Sequence, residues 1–303
     1  MRMLNYGHMR KIHLIWAVLV AAAFLLPWRA EAHQPRLVNQ DKVQISNPTV
    51  SQAFYDELKG KPRDYYLQTE VPLDLTLQLL VPASVNPDKK YSAEVFKDDG
   101  QGSWLVQGEL DGMAQPWIKF HEEFANDDYM QSQEYALSLP AGKYNIQVRG
   151  PVNELGIAES SYGKYVLVVG KEEAFPPTEI WNAWRVVPQL KKHFFNVSPL
   201  TLLGSQFGPY AFIASLLLNL AFWFVTLKAV KSLSSREFKP RLVRNLGWPD
   251  RIGRLILGLT LIVLSVHLWS LIIFMLGGFV LYESLAGWCA LYAALGKRTC
   301  PIG

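Results

Sequence analysis

The residues whose types and spacing could do chemistry fall into three sets: His33, His121 and His193; Cys289 and Cys300; and Glu283 with Arg251 and Arg254. His33 directly follows Ala30-Glu31-Ala32, a small-x-small pattern that a signal peptidase cleaves. Freed there, it would offer an α-amine and an imidazole from one residue. One more imidazole, from His121 or His193, would complete a planar three-nitrogen set suited to Cu(II), which makes copper the expected metal and a copper-handling protein one functional reading. Cys289 and Cys300 are the only cysteines, and a thiol-redox or sulfur-relay pair is a second reading. Cys300 neighbours Lys297 and Arg298, cations that favour its thiolate, whereas Cys289 sits among Trp288 and Leu291 and could pack as a small apolar group. Glu283 interrupts an apolar run, where an ionisable side chain is a functional candidate by default; a pair with Arg251 or Arg254, or a carboxylate snorkelling to the cytoplasmic surface, is expected ahead of a proton relay.

Other chemistries lack their residues. His121-Glu122 begins a zinc-protease motif, but Ala125 stands where its second histidine belongs. There is no G-x-S-x-G elbow and no phosphate-binding G-x-x-x-x-G-K-[ST] loop. The acidic group Glu122, Glu123, Asp127 and Asp128 lacks the alternate ligand spacing and glycine of an EF loop and reads as a solvated turn.

The elements that must position these residues are sorted by charge. Residues 33–199 carry 22 acidic and 16 basic side chains, whereas residues 228–254 carry eight basic and two acidic ones. Such sorting is expected when a membrane divides a chain. Residues 1–32 read as a secretory signal: Arg2, Arg10 and Lys11 precede the apolar run Leu14–Leu26, too short to span, and the cleavage site follows. Residues 33–177 show short alternating segments, such as Leu75-Thr76-Leu77-Gln78-Leu79 and Tyr144-Asn145-Ile146-Gln147-Val148, separated by Asn86-Pro87-Asp88, Pro140-Ala141-Gly142 and other turn signals. This predicts an all-β antiparallel sandwich, with one early helix opened by Asn47-Pro48 and carrying Val50, Ala53, Phe54 and Leu58 on one face. Tyr135–Arg149 followed by Gly163-Lys164-Tyr165-Val166-Leu167 resembles the closing strands of small bacterial jelly-roll binding modules.

Residues 178–208 read as an amphipathic juxtamembrane connector capped by Thr178 and bent at Pro188, lying either on the membrane surface or on the sandwich. Residues 209–230 supply a first transmembrane helix, and the basic residues of 231–250 place that loop in the cytoplasm and the sandwich outside it. In 251–303, residues 255–296 hold one charge, Glu283, and predict two more spans turning near Ser265–Ser270, with a cytoplasmic tail.

The residues Asn245-Leu246-Gly247, Asp250-Arg251, Arg254, Gly258, Gly277-Gly278, Gly287-Trp288-Cys289, Tyr292, Gly296 and Thr299-Cys300 resemble the YgaP-like transmembrane domain. The resemblance implies an inner-membrane hairpin and a homodimer formed through it. Ala290 replaces the family's usual proline, and the rhodanese module that carries sulfur chemistry in the namesake architecture has no counterpart here. The expectation is therefore a noncatalytic bacterial inner-membrane protein with a periplasmic β-sandwich that binds or assembles with a periplasmic partner. Nucleic acid is not an expected partner, because the exported domain is acidic and the basic residues cluster beside the membrane.

Overall fold

The computed structural model describes residues 33–151, 161–206, 208, 244–289, 291–292 and 295–299. The signal segment 1–32, the 209–230 span, most of the basic loop and Cys300 lie outside the described residues. The chain divides into a unit comprising Arg29–Val197 and a second unit containing Ser198–Gly303.

The first unit is a β-sandwich. Its strands are β1 (Gln34–Leu37), β2 (Val43–Gln44), β3 (Gln52–Lys59), β4 (Arg63–Thr69), β5 (Leu73–Pro82), β6 (Ser92–Asp98), β7 (Trp104–Leu110), β8 (Ile118–Glu122), β9 (Asp127–Gln131), β10 (Tyr135–Leu139), β11 (Gly142–Arg149) and β12 (Tyr162–Val169). One sheet runs β1-β3-β12-β5-β9-β8, with β10 also on β5, and the other runs β2-β4-β11-β6-β7. Alternation supplies the core between them: Leu73, Leu75, Leu77, Leu79 and Val81 of β5 meet Tyr65 and Leu67 of β4 and Tyr144, Ile146 and Val148 of β11. The Tyr65 and Tyr165 hydroxyls meet at 2.8 Å inside this core, and Asp56 Oδ2 accepts from Tyr65 at 3.0 Å and from Arg63 Nε at 2.8 Å. The buried hydroxyls thus have partners, as a dry core requires.

Two expectations are corrected. The sheets are mixed, because β1 pairs parallel with β3 and β2 parallel with β4. In each case the intervening strand belongs to the opposite sheet, so the chain crosses, returns and arrives in its original direction. The early helix is instead β3. Phe54 and Leu58 enter the core between the sheets, while Ala53 and Tyr55 enter a second apolar cluster on the outer face of the larger sheet. A strand buried on both faces loses its period-2 signature, and the resulting apolar run happens to match helical spacing.

That second cluster is built by the connector. Helix α1 (Pro177–Gln189) begins after Pro176, which rather than Thr178 occupies the cap position, and it contains Pro188. A single π-helical turn, Leu190–Phe194, follows, in which Phe195 N–H donates to Leu190 O at 2.9 Å. The wider turn places Leu190, Lys191, Phe194 and Phe195 in the buried layer against Tyr129, Val166 and Val168. Of the two placements open to the connector, the structure lays it on the sandwich.

In the second unit, helix α2 (Trp248–His267) and helix α3 (Leu271–Ala286) form a hairpin. Its turn includes Trp269, with φ of 50°, and the Ser270 hydroxyl accepts from Ile273 N–H at the start of α3. The helices cross where neither has a side chain: a Cβ on Gly258 would lie 2.6 Å from Leu281 Cγ, and one on Gly277 would lie 3.0 Å from Gly258 O. Among the described residues no helix is long and apolar enough to cross a membrane. Helix α3 has 16 residues, and α2 carries Asp250, Arg251 and Arg254 in its first two turns.

Candidate functional site

A set of interacting polar side chains lies where α2 begins and α3 ends. Asn245 precedes α2 and brackets the backbone of Cys289: its Nδ2 donates to Cys289 O and its Oδ1 accepts from Cys289 N–H, both at 2.7 Å. The N–H groups of Asn245 and Leu246 both donate to Gly287 O at 3.2 Å. Gly287 ends α3 with φ of 67°, a left-handed conformation that disfavours a Cβ. Thr299 closes the ring, donating from its hydroxyl to Asp250 and from its N–H to Asn245 O, and accepting from Gly247 N–H.

Inside this ring, Arg254 forms an ion pair with Glu283, which is 6% exposed. The same guanidinium lies 3.5 Å from Cys289 Sγ through Nη2 and stacks 5.5 Å from the Tyr292 ring. Arg251 takes a different role: its Nε donates to Ser284 O at 2.8 Å, while Ser284 Oγ donates back to Arg251 O at 2.7 Å. Of the two arginines expected beside Glu283, the carboxylate therefore pairs with Arg254, and Arg251 fastens the two helix backbones together. Cys289 is a free, buried cysteine.

This ring is made from the residues that carry the sequence resemblance, and the comparison agrees. Residues 242–303 match the inner membrane protein YgaP-like transmembrane domain. The ring thus closes the open end of a YgaP-like hairpin, and Asn245, Gly287 and Thr299 are the residues that tie its three segments. No curated protein matches the chain. Among solved structures, similarity is found to the pre-peptidase C-terminal domain of collagenase from Bacillus anthracis, at 8% identity over 47% of this chain and 98% of that one with a TM-score of 0.23. It is also found to PliG of Salmonella Typhimurium, a periplasmic inhibitor of g-type lysozyme, at 14% identity over 43% and 98% with a TM-score of 0.24.

The three candidate copper ligands are not brought together. His33 precedes β1 at one edge of the larger sheet, where its Nδ1 meets Ser51 Oγ; His121 lies on β8 at the opposite edge, where its Nδ1 lies 2.8 Å from Asp128 Oδ1. Five strand spacings separate those edges, about 24 Å. His193 belongs to the π-helical turn, and its carbonyl accepts from Lys164 Nζ. Among the described residues no group of three or more His, Cys, Asp or Glu side chains could hold a metal ion.

One site was not foreseen in the sequence. Lys191, 2% exposed, enters the outer cluster from the π-helical turn and donates to Asp127 Oδ1 at 2.6 Å. Its ammonium lies 5.5 Å from the Phe195 ring. Glu122 stands close by and accepts the N–H groups of Phe124 and Ala125 at 2.9 and 2.8 Å. Burial holds both Asp127 and Glu122 above their ordinary values, opposed at Asp127 by Lys191 and at Glu122 chiefly by the N–H groups of Ala125 and Phe124. Arg36 adds a second fastening, gripping both carboxylate oxygens of Glu179 on α1 at 2.6 and 2.9 Å. The part of the acidic 122–128 segment read as a solvated turn is in fact the receptor for the connector. The available signal was Lys191-Lys192 among apolar residues, where one lysine of the pair faces inward.

Proposed function

We propose that this chain is a noncatalytic inner-membrane protein that holds a β-sandwich outside the cytoplasm, on a connector folded onto the sandwich itself, as a binding or assembly module. The single observation that carries this reading is the match of residues 242–303 to an inner-membrane domain in a chain whose other unit is a sandwich. The hairpin's surface supports it: Ile256, Leu259, Val263, Ile272, Leu276 and Leu285 are all more than half exposed, an apolar coat that water disfavours and lipid accepts. The export signal, the span at 209–230 and the basic loop support the same arrangement, with three spans, the sandwich in the periplasm and the C-terminus in the cytoplasm. Copper handling and thiol relay gain no support from the separated histidines and the buried Cys289 thiol.

Membrane extraction tests the reading. The full chain is expected to stay with membranes through alkaline carbonate, and a version stopped after Gln206 to be recovered as a soluble exported protein. Release of the full chain by carbonate contradicts it.

A further inference from the structure

The edges of the two sheets are not equally protected. An unpaired sheet edge is a template for another strand, and proteins blunt such edges with short strands, charge, bulges or covering elements. In the larger sheet, β1 is covered by α1 through the Arg36–Glu179 pair and the bond from Asn182 Nδ2 to Pro35 O. Strands β8 and β10 have five residues each, and β8 sets Lys119 and His121 in solvent. In the smaller sheet, β2 has two residues. The remaining edge, β7, has seven, and it begins Trp104-Leu105-Val106, with exposures of 43%, 54% and 58%. It is bulged at Gln107, so the ladder left open among the described residues is the apolar run before the bulge. The half-buried Gln107 amide donates to the carbonyls of Leu105 and Val106, and at Val106, which faces away from β6, a ladder N–H can displace that cover.

The surroundings favour a partner strand. Val106 pairs with Phe96 and Trp104 with Asp98 in the β6–β7 register, and the Trp104 ring lies 6.4 Å from Tyr66 of β4. Tryptophan and tyrosine together are the side chains that most often anchor an interface. Both ends of the run are acidic: Asp98 and Asp99 precede it and Asp111 follows, whereas Glu109 is neutralised by Arg149 at 2.7 Å. That pattern disfavours a second copy of this chain. A two-fold axis through Leu105 would set Asp99 of one copy at the level of Asp111 of the other, like charge facing like.

We infer that β7 is a docking edge for an extended segment of another protein, apolar at its centre and flanked by lysine or arginine, which joins the smaller sheet as a sixth strand through Trp104–Val106. Main-chain bonds would supply the register, Trp104 the apolar anchor, and Asp98, Asp99 and Asp111 the charge selection. The inference names the partner class for the binding module proposed above. It is tested without reference to membrane placement, so its failure would leave the extraction result standing.

The test titrates a fluorescein-labelled probe, Lys-Lys-Val-Thr-Val-Thr-Val-Lys-Lys, into the full chain in detergent, with a glutamate-flanked version as comparison. The lysine-flanked probe is expected to bind and to weaken with salt. Its affinity should fall about thirtyfold in Trp104→Ala, and binding should disappear in Val106→Pro, which removes an outward-facing N–H of the edge, with Val71→Lys unchanged. Should Val106→Pro lose its fold by circular dichroism, a probe N-methylated on alternate amides serves instead, and it is expected not to bind. Equal binding of both probes, no binding, or indifference to Trp104→Ala and to N-methylation overturns the inference. So does a dimer of the chain that Trp104→Ala dissolves.

Discussion

The molecule buries an ion pair in each of its two units, and the two do different work. In the sandwich, Lys191 and Asp127 meet in a layer already stabilised by Leu190, Phe194 and Phe195, each of which contributes about 2 kcal/mol by leaving water. The pair adds little net energy there, since the cost of drying both charges offsets their attraction. What it fixes is the register of the π-helical turn on the sheet. In the hairpin, Arg254 and Glu283 sit beside the close glycine contacts and backbone bonds that join the two helices. There the pair belongs to a hydrogen-bonded ring that includes Asn245, Ser284, Cys289 and Thr299. One pair selects a docking position inside an apolar layer, and the other belongs to a ring of polar bonds.

The comparison breaks most readily at Lys191. Lys191→Met leaves Asp127 buried without its cation and should destabilise the docked connector by about 3–5 kcal/mol, seen as lost hydrogen-exchange protection over residues 186–197. The double variant Lys191→Met/Asp127→Leu removes the stranded charge and should recover most of that protection. If the double variant is as damaged as the single one, the pair contributes energy rather than register.

In the hairpin the corresponding experiment is steric. Gly258→Val places a side chain against Leu281 and the Gly277 backbone and should cost about 1–3 kcal/mol, measured as a lower midpoint of unfolding in detergent. Asn245→Ala removes both bonds to Cys289 and should cost about 1–3 kcal/mol for the two backbone groups left unpaired. A readout that sharpens it is faster alkylation of Cys289, as the ring opens around a thiol that burial otherwise protects.

The smallest expected effect is a pH dependence with an unusual sign. Asp127 and Glu122 are both held above their ordinary values by burial. The docked state therefore binds more protons than the undocked one. The stability these groups contribute is present at low pH and is lost as pH rises through their raised values. Protection of the connector should decline as pH climbs above the ordinary carboxylate range of about 4, the reverse of ordinary acid unfolding. The decline should extend to higher pH in Lys191→Met, because the cation that pulls Asp127 down is gone.

Much of this was legible in the sequence, for reasons that differ by element. The hairpin could be read from the apolar run 255–296 and from the resemblance of its residues to the YgaP-like domain, whereas the bonds that join Asn245, Cys289 and Thr299 could not, because they link positions more than 40 residues apart. Strands β5 and β11 could be read because one face is core and the other is not. Strand β3 could not, because the connector covers its second face, and that cover comes from residues more than 100 positions later. Lys191 was invisible for the same reason: its partner Asp127 is 64 residues away, and a lysine reads as exposed until something is shown to bury it. The parallel pairs of β1 and β2 depend on which sheet each neighbouring strand joins, and periodicity carries no record of that.

The central claim is that the sandwich stands outside the cytoplasm on a membrane-anchored chain. It is tested most directly by placing a single cysteine at Gln101, in the exposed loop between β6 and β7, in a background with Cys289 and Cys300 replaced by alanine. Labelling with a membrane-impermeant maleimide is then followed in cells whose outer membrane has been opened. The account predicts full labelling before the inner membrane is lysed. Labelling that requires lysis would contradict it.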